Sequence, residues 1–245
     1  MITAESASSK FLMIEKPTIP PPSKRLLLME ARSLWAFATW RRHLQRLEQL
    51  PRGDGHPVLV IPGFGAGDWE TTPLRHVLHS LGYKVHGWGR GRNLGTNQLV
   101  RERLRTQVQN LHERHGKVSL IGWSLGGVFA RELARHQPER VRRVFTLGSP
   151  FNVCPDANNL LPLMRLMNFG RTVKLDREGF QRRRAPPPVP CTAIYTKTDG
   201  IIAWPCTIED PAPNTENIEV QGSHMALGAN PQVWRLIAER LPRPG

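Results

Sequence analysis

The chain has 245 residues, 39% apolar and 22% charged, enough to bury a sizeable core in one large domain and far from a disordered composition. No uncharged apolar stretch reaches the roughly 18 residues that a membrane-spanning helix needs, and three cysteines (Cys154, Cys191, Cys206) are too few for a disulfide framework or a thiolate zinc site. The net charge of +14 rests on 27 arginines among 34 cations, spread along the chain in short clusters beside no array of stacking aromatics, so no nucleic-acid partner is expected.

Residues 1–22 are rich in Ser and Pro and end in Pro20-Pro21-Pro22, which predicts a disordered N-terminal segment. Glu15 interrupts the short apolar run 11–14, so no secretory signal is expected. Over 23–51 the pattern predicts one amphipathic helix, with Ser23 as N-cap and Pro51 as the stop. Its front half, 26–40, is apolar on most faces apart from Glu30 and Arg32. Such a helix is expected to pack on its own domain. The alternative is peripheral contact of 24–50 with an anionic membrane surface, Arg41 and Arg42 at the headgroups. A cytoplasmic location, with membrane association in that alternative, is the corresponding expectation.

From residue 52 to 245 a single domain is expected. β-branched or apolar runs at 58–61, 84–88, 118–122, 143–147, 192–196 and 217–220 read as strands. Helical patterns lie at 72–81, 96–115, 125–136 and 231–241. This alternation predicts an α/β fold, a mainly parallel sheet of about six strands flanked by helices with right-handed crossovers. Residues 152–188 interrupt it and are expected to form a small cap. There Leu160, Leu163, Met164 and Met167 stand at i, i+3, i+4 and i+7, one apolar helical face. A Cys191–Cys206 bridge stays open, unlinked thiols being the simpler reading.

The chemistry centres on Gly122-Trp123-Ser124-Leu125-Gly126-Gly127, directly after one strand and before one helix. A G-x-S-x-G elbow sets the serine on a sharp strained turn above the sheet, with helix N-terminal amides beside it. Chain order in such sites runs Ser, acid, His. His224 follows the last strand and precedes the final helix, whereas His136 sits at a helix end. Asp199, in Thr198-Asp199-Gly200, follows the penultimate strand and is the expected acid, with Asp210 and Asp176 as fallbacks. The oxyanion hole needs two backbone N–H groups. One is Leu125, after the nucleophile. The other is expected from Phe64 in the glycine-rich loop 61–68, which lacks the spacing of a nucleotide cradle. Asp68 is expected to cap the following helix.

Together with Pro62-Gly63-Phe64-Gly65 and Leu147-Gly148-Ser149-Pro150-Phe151, these motifs resemble the bacterial esterase/lipase members of the α/β-hydrolase superfamily over about 55–241. The resemblance implies a Ser124–His224–Asp199 triad, ester hydrolysis through an acyl-enzyme, a small-molecule ester or lipid substrate, and neither metal nor organic cofactor. Trp123, Leu125, Phe64 and Phe151, with Leu160, Leu163, Met164 and Met167 of the cap, are the expected acyl-pocket residues. The chain departs from the family in having Pro62 where many lipases carry histidine, and in reaching its first core strand only near residue 58. Two alternatives stand beside ester hydrolysis: acyl transfer or thioester cleavage with the same triad, and a non-catalytic adaptor on a membrane surface.

Overall fold

Six short β-branched and apolar runs become strands that pair side by side, all parallel, in the order β2-β1-β3-β4-β5-β6. In this computed structural model residues 19–95, 98–152, 157–160 and 184–243 are described, 46 and 47 by backbone alone. The strands are β1 (Pro57–Ile61), β2 (Lys84–His86), β3 (Val118–Trp123), β4 (Val141–Leu147), β5 (Cys191–Tyr195) and β6 (Thr215–Glu219). Helices α3 (Thr72–Ser80), α4 (Gln98–His115), α5 (Leu125–His136) and α6 (Pro231–Arg240) follow β1, β2, β3 and β6. The expected sheet of about six strands flanked by helices is therefore the fold. Among the described residues no helix is long and apolar enough to cross a membrane.

The period-2 alternation of a strand explains how both faces are covered. On β1, Val58 and Val60 point into a core shared with α3 and α6, while Leu59 and Ile61 point into the core of α4 and α5. All four are fully buried, each contributing about 1.5–3 kcal/mol by leaving water. On α4 the buried Leu104, Val108 and Leu111 recur at helical spacing, leaving the charged face outside. A sheet sandwiched in this way has one place for a site: the carboxyl ends of its strands, where the connecting loops gather.

The helix expected over 23–51 is three pieces instead: α1 (Lys24–Met29), α2 (Arg32–Thr39) and a 3-10 stretch, Trp40–Gln49. Ser23 does cap α1, its hydroxyl accepting the Leu26 N–H at 3.3 Å. The break has a physical cause at Glu30–Ala31, where i to i+3 bonds from the Ser33 and Leu34 amides (2.9 and 3.1 Å) replace the helical ones and Glu30 turns inward. Trp40, Phe37, Leu44 and Leu50 pack on the α3/α6 core, as expected of a helix lying on its own domain. Leu28, Leu34 and Trp35 face outward.

Of the expected cap, Leu163, Met164 and Met167 lie outside the described residues, as do Cys154, Asp176 and residues 1–18. Leu160 is described, packed against a small cluster of Ala157, Ile201, Ile202, Ala203 and Cys206 together with Ile19. Cys191 and Cys206 are buried thiols not joined to each other. Burial pushes the Cys191 thiol up to about 12, which leaves it unreactive.

Candidate active site

Ser124 occupies the turn between β3 and α5 with φ 53° and ψ −122°. Among the described residues it is the one non-glycine with positive φ. Such a conformation costs about 1–3 kcal/mol and persists only where the surroundings impose it. Here close packing imposes it. A Cβ on Gly126 would sit 2.2 Å from the Ile61 carbonyl oxygen, and one on Gly122 would sit 2.3 Å from the Gly127 backbone. Only glycine lets helix α5 start this close to the sheet, and that proximity fixes where the serine hydroxyl emerges.

His224 opens the 3-10 turn His224–Ala229 after β6, and Asp199 lies in the turn after β5. Asp199 Oδ2 and His224 Nδ1 are 2.6 Å apart, both side chains 1% exposed. The other oxygen of Asp199 accepts the Ile201 and Ile202 amides at 2.8 and 2.7 Å. The carboxylate is thus oriented from behind, and its free edge meets the imidazole. Burial alone would pull the His224 imidazole down, but the Asp199 carboxylate, with a smaller share from Glu30, outweighs it and holds the group above its ordinary value.

The Leu147–Gly148 peptide ties this pair to the serine. The Ser124 N–H donates to the Leu147 carbonyl at 2.8 Å, and a Cβ on Gly148 would meet His224 Nδ1 at 2.9 Å and Asp199 Oδ2 at 3.2 Å. On the other side of the serine lies Gly63, where a Cβ would come 3.0 Å from Ser124 Cβ and 3.7 Å from its Oγ. Ser124 and the Asp199–His224 pair therefore both lie against the Leu147–Gly148 segment, with Gly63 of the glycine-rich loop beside the serine. Among the described residues neither the Phe64 nor the Leu125 amide donates to a protein acceptor. The loop is pinned by buried Asn93, whose side chain donates to the Pro62 carbonyl at 2.8 Å and whose backbone exchanges bonds with Gly65 and Ala66.

The other residues that the sequence singles out have the following surroundings. Trp123 is buried, and its indole N–H donates to the His224 carbonyl at 3.1 Å, bracing the histidine turn. Phe151 is buried with the Arg131 guanidinium 3.9 Å over its ring. Asp210 is paired with Arg184 at 2.7 Å, which holds its carboxyl below the usual range. His136 ends α5, its ring bonded to the Glu132 carbonyl. Asp68 does not cap α3: its two oxygens accept the Trp88 and Gly89 amides at 2.9 Å each, joining the glycine-rich loop to the chain after β2.

Three features carry no motif. Asn93 and Glu30 act through folded-chain contacts, although a lone carboxylate in the apolar run 26–40 was a visible oddity. The third is a second Asp–His–Ser set, Asp54, His56 and Ser119, in which His56 Nε2 lies 2.8 Å from Ser119 Oγ. Ser119 is fully buried within β3 at the opposite end of the strands, so no substrate reaches it. Burial pulls His56 below its ordinary value despite Asp54. Burial opposes but does not prevent the His56 and Arg142 bonds from bringing Asp54 to about 2. This set is a structural staple.

The chain is similar to known proteins in sequence and in fold. Residues 56–188 match the alpha/beta hydrolase fold family. A pimeloyl-[acyl-carrier protein] methyl ester esterase of Aliivibrio fischeri (strain MJ11) is 31% identical over 136 residues, 51% of this chain and 49% of that protein. A protein of the same name from Klebsiella pneumoniae (strain 342) is 30% identical over 118 residues, 47% of this chain and 45% of that protein. The chain thus spans about half the length of these curated relatives. The monoacylglycerol lipase structure of Paleococcus ferrophilus superposes with a TM-score of 0.56 at 17% identity, covering 78% of this chain and 96% of that one, which is a likeness of fold. The chain belongs to the α/β-hydrolase fold family.

Proposed function

We propose that the protein is a serine hydrolase that cleaves carboxylic esters through an acyl-enzyme. The observation that carries this reading is the buried 2.6 Å Asp199–His224 pair near a strained serine, with two amides beside it that donate to no protein acceptor among the described residues. In the proposed mechanism His224 Nε2 takes the Ser124 hydroxyl proton as Oγ attacks the ester carbonyl, and Asp199 holds Nδ1–H and stabilises the imidazolium. The Phe64 and Leu125 amides receive the developing oxyanion, each worth about 10²–10³ in rate. His224 returns the proton to the leaving alcohol, and water activated by the same base releases the acid.

The names of the curated relatives favour an alkyl ester of a carrier-bound acyl chain as the first substrate class to test. The face of Leu160, Leu163, Met164 and Met167 would form the adaptable wall of the acyl pocket. Acyl transfer and thioester cleavage use the same first half-reaction and are separated by which nucleophile and which leaving group the protein accepts. The test is labelling of Ser124 by a fluorophosphonate probe, followed by turnover of p-nitrophenyl esters from acetate to palmitate. An unlabelled Ser124 in the folded protein would favour the non-catalytic adaptor.

A second reading concerns where the substrate comes from. Leu28, Leu34 and Trp35 are 78%, 74% and 69% exposed, and the Arg42 guanidinium stands 5.9 Å over the Trp35 ring. Apolar side chains rimmed by arginine suit shallow contact with an anionic membrane surface. Co-sedimentation with anionic vesicles that is lost in Leu34→Ser/Trp35→Ser supports it; equal sedimentation of parent and variant refutes it.

A further inference from the structure

The N-terminal segment places a carboxylate inside the site. Glu30, at the turn between α1 and α2, is 7% exposed. Its Oε1 accepts the Gly200 amide at 2.8 Å and the His224 amide at 3.0 Å, and its Oε2 accepts the Met225 amide at 2.9 Å. Gly200 is the residue after Asp199; His224 and Met225 open the turn that carries the base. That turn makes no side-chain cap of its own at Ser223, so its first two N–H groups are satisfied from a segment almost 200 positions away in sequence.

Two further contacts bind the same segment to the acid turn. A Cβ on Gly200 would lie 2.4 Å from the Leu26 carbonyl oxygen, so α1 rests directly on that turn. Asn159 donates to both the Pro22 and Gly200 carbonyls, at 3.0 and 2.8 Å. Charge-assisted bonds from a buried carboxylate to backbone amides are strong and directional, and three of them converge on Glu30.

We propose that Glu30 is a positioning residue: its carboxylate locks the Asp199 turn and the His224 turn to each other, so that the imidazole stays aligned between acid and nucleophile. This rests on the reading of Ser124, His224 and Asp199 as a triad. Glu30 touches no reacting atom; it acts through the backbone of the two turns. Its negative charge also lies close enough to favour the imidazolium.

The test compares the parent chain with Glu30→Gln and Glu30→Ala. In Glu30→Gln the amide oxygen can still accept from Gly200 and His224, but its NH₂ faces the Met225 N–H. The protein should fold, with kcat for the best p-nitrophenyl ester down about 10- to 100-fold, the range expected when catalytic groups are misplaced by around 1 Å. KM should change little, and the acid limb of the pH–rate profile should move to lower pH because a negative charge beside the imidazolium has gone. Glu30→Ala should lose more, and exchange of the His224 and Met225 amides should quicken in both. Folded variants with the parent's kcat and acid limb overturn the proposal. So does a loss that only tracks the unfolded fraction while the acid limb stays in place. A parent that leaves the fluorophosphonate unreacted marks failure of the triad reading itself, and is seen before any change at Glu30.

Discussion

Replacing Asp199 by asparagine isolates what the acid does, because the structure decides how the amide will sit. Two orientations are open. In the first, the remaining oxygen keeps the Ile201 and Ile202 amides and the NH₂ faces His224 Nδ1. In the second, the oxygen faces the histidine and the NH₂ opposes two N–H groups held at 2.8 and 2.7 Å. The second leaves two buried N–H groups facing the amide NH₂ without an acceptor, at about 1–3 kcal/mol each, so the first wins by several kcal/mol. It obliges Nδ1 to accept and puts the proton on Nε2, the atom that must take the serine proton. Turnover should fall about 10⁴-fold, roughly 5 kcal/mol in the barrier. The melting temperature should fall only modestly, since both backbone bonds survive. The assay is kcat/KM on acetate and octanoate p-nitrophenyl esters, with fluorophosphonate labelling rates and a thermal melt beside it. A folded Asp199→Asn protein within tenfold of the parent would refute the reasoning. So would a collapse of activity in Asp210→Asn, whose carboxylate is bonded to Arg184 and not to a histidine.

Ser124→Ala should leave a folded protein without ester hydrolysis, and adding His224→Ala should cost little more, since triad members act as a unit; multiplicative losses in the double variant would contradict the assignment. Because His224 titrates above its ordinary 6.5, kcat/KM should fall as pH drops through a value higher than 6.5, and a limb below 6.5 in the parent would argue against the Asp199 pairing. For stability His56 has the opposite sign. Its folded value lies below 6.5, so the unfolded chain binds more protons and the melting temperature should fall as pH is lowered below 6.5. His56→Gln should flatten that fall, and an unchanged slope would assign it to other groups. On the proposal that residues 152–188 cap the acyl site, Met164→Ala with Met167→Ala should cost octanoate one or two decades relative to acetate, at about 0.8 kcal/mol per lost CH₂ contact; equal losses for both esters would refute the cap.

Everything that depends on nearest neighbours was readable from the chain alone. Strand and helix periodicity yielded the six strands and the helices of the sheet, and G-x-S-x-G between a strand and a helix marked Ser124, because the turn demands glycine at those spacings whatever else surrounds it. Chain order then pointed to Asp199 and His224, which the fold brings to 2.6 Å. The N-terminal helix reads as continuous in sequence, since 23–50 contains neither glycine nor proline and helix propensity sees only neighbours. At the turn between α1 and α2, three amides from turns about 170 to 195 positions away hold Glu30 inward. Asp68 departs from the expected helix cap for the same reason: a nearby helix end is visible in sequence, the Trp88 and Gly89 amides are not. The Asp54–His56–Ser119 set shows the converse, the right residue types with the serine sealed inside β3. Composition and spacing determine which groups a chain carries and which local turns can hold them. Long-range burial decides which of those groups water and substrate can reach, because a hydrogen bond across the sheet leaves no periodic trace in the chain that makes it.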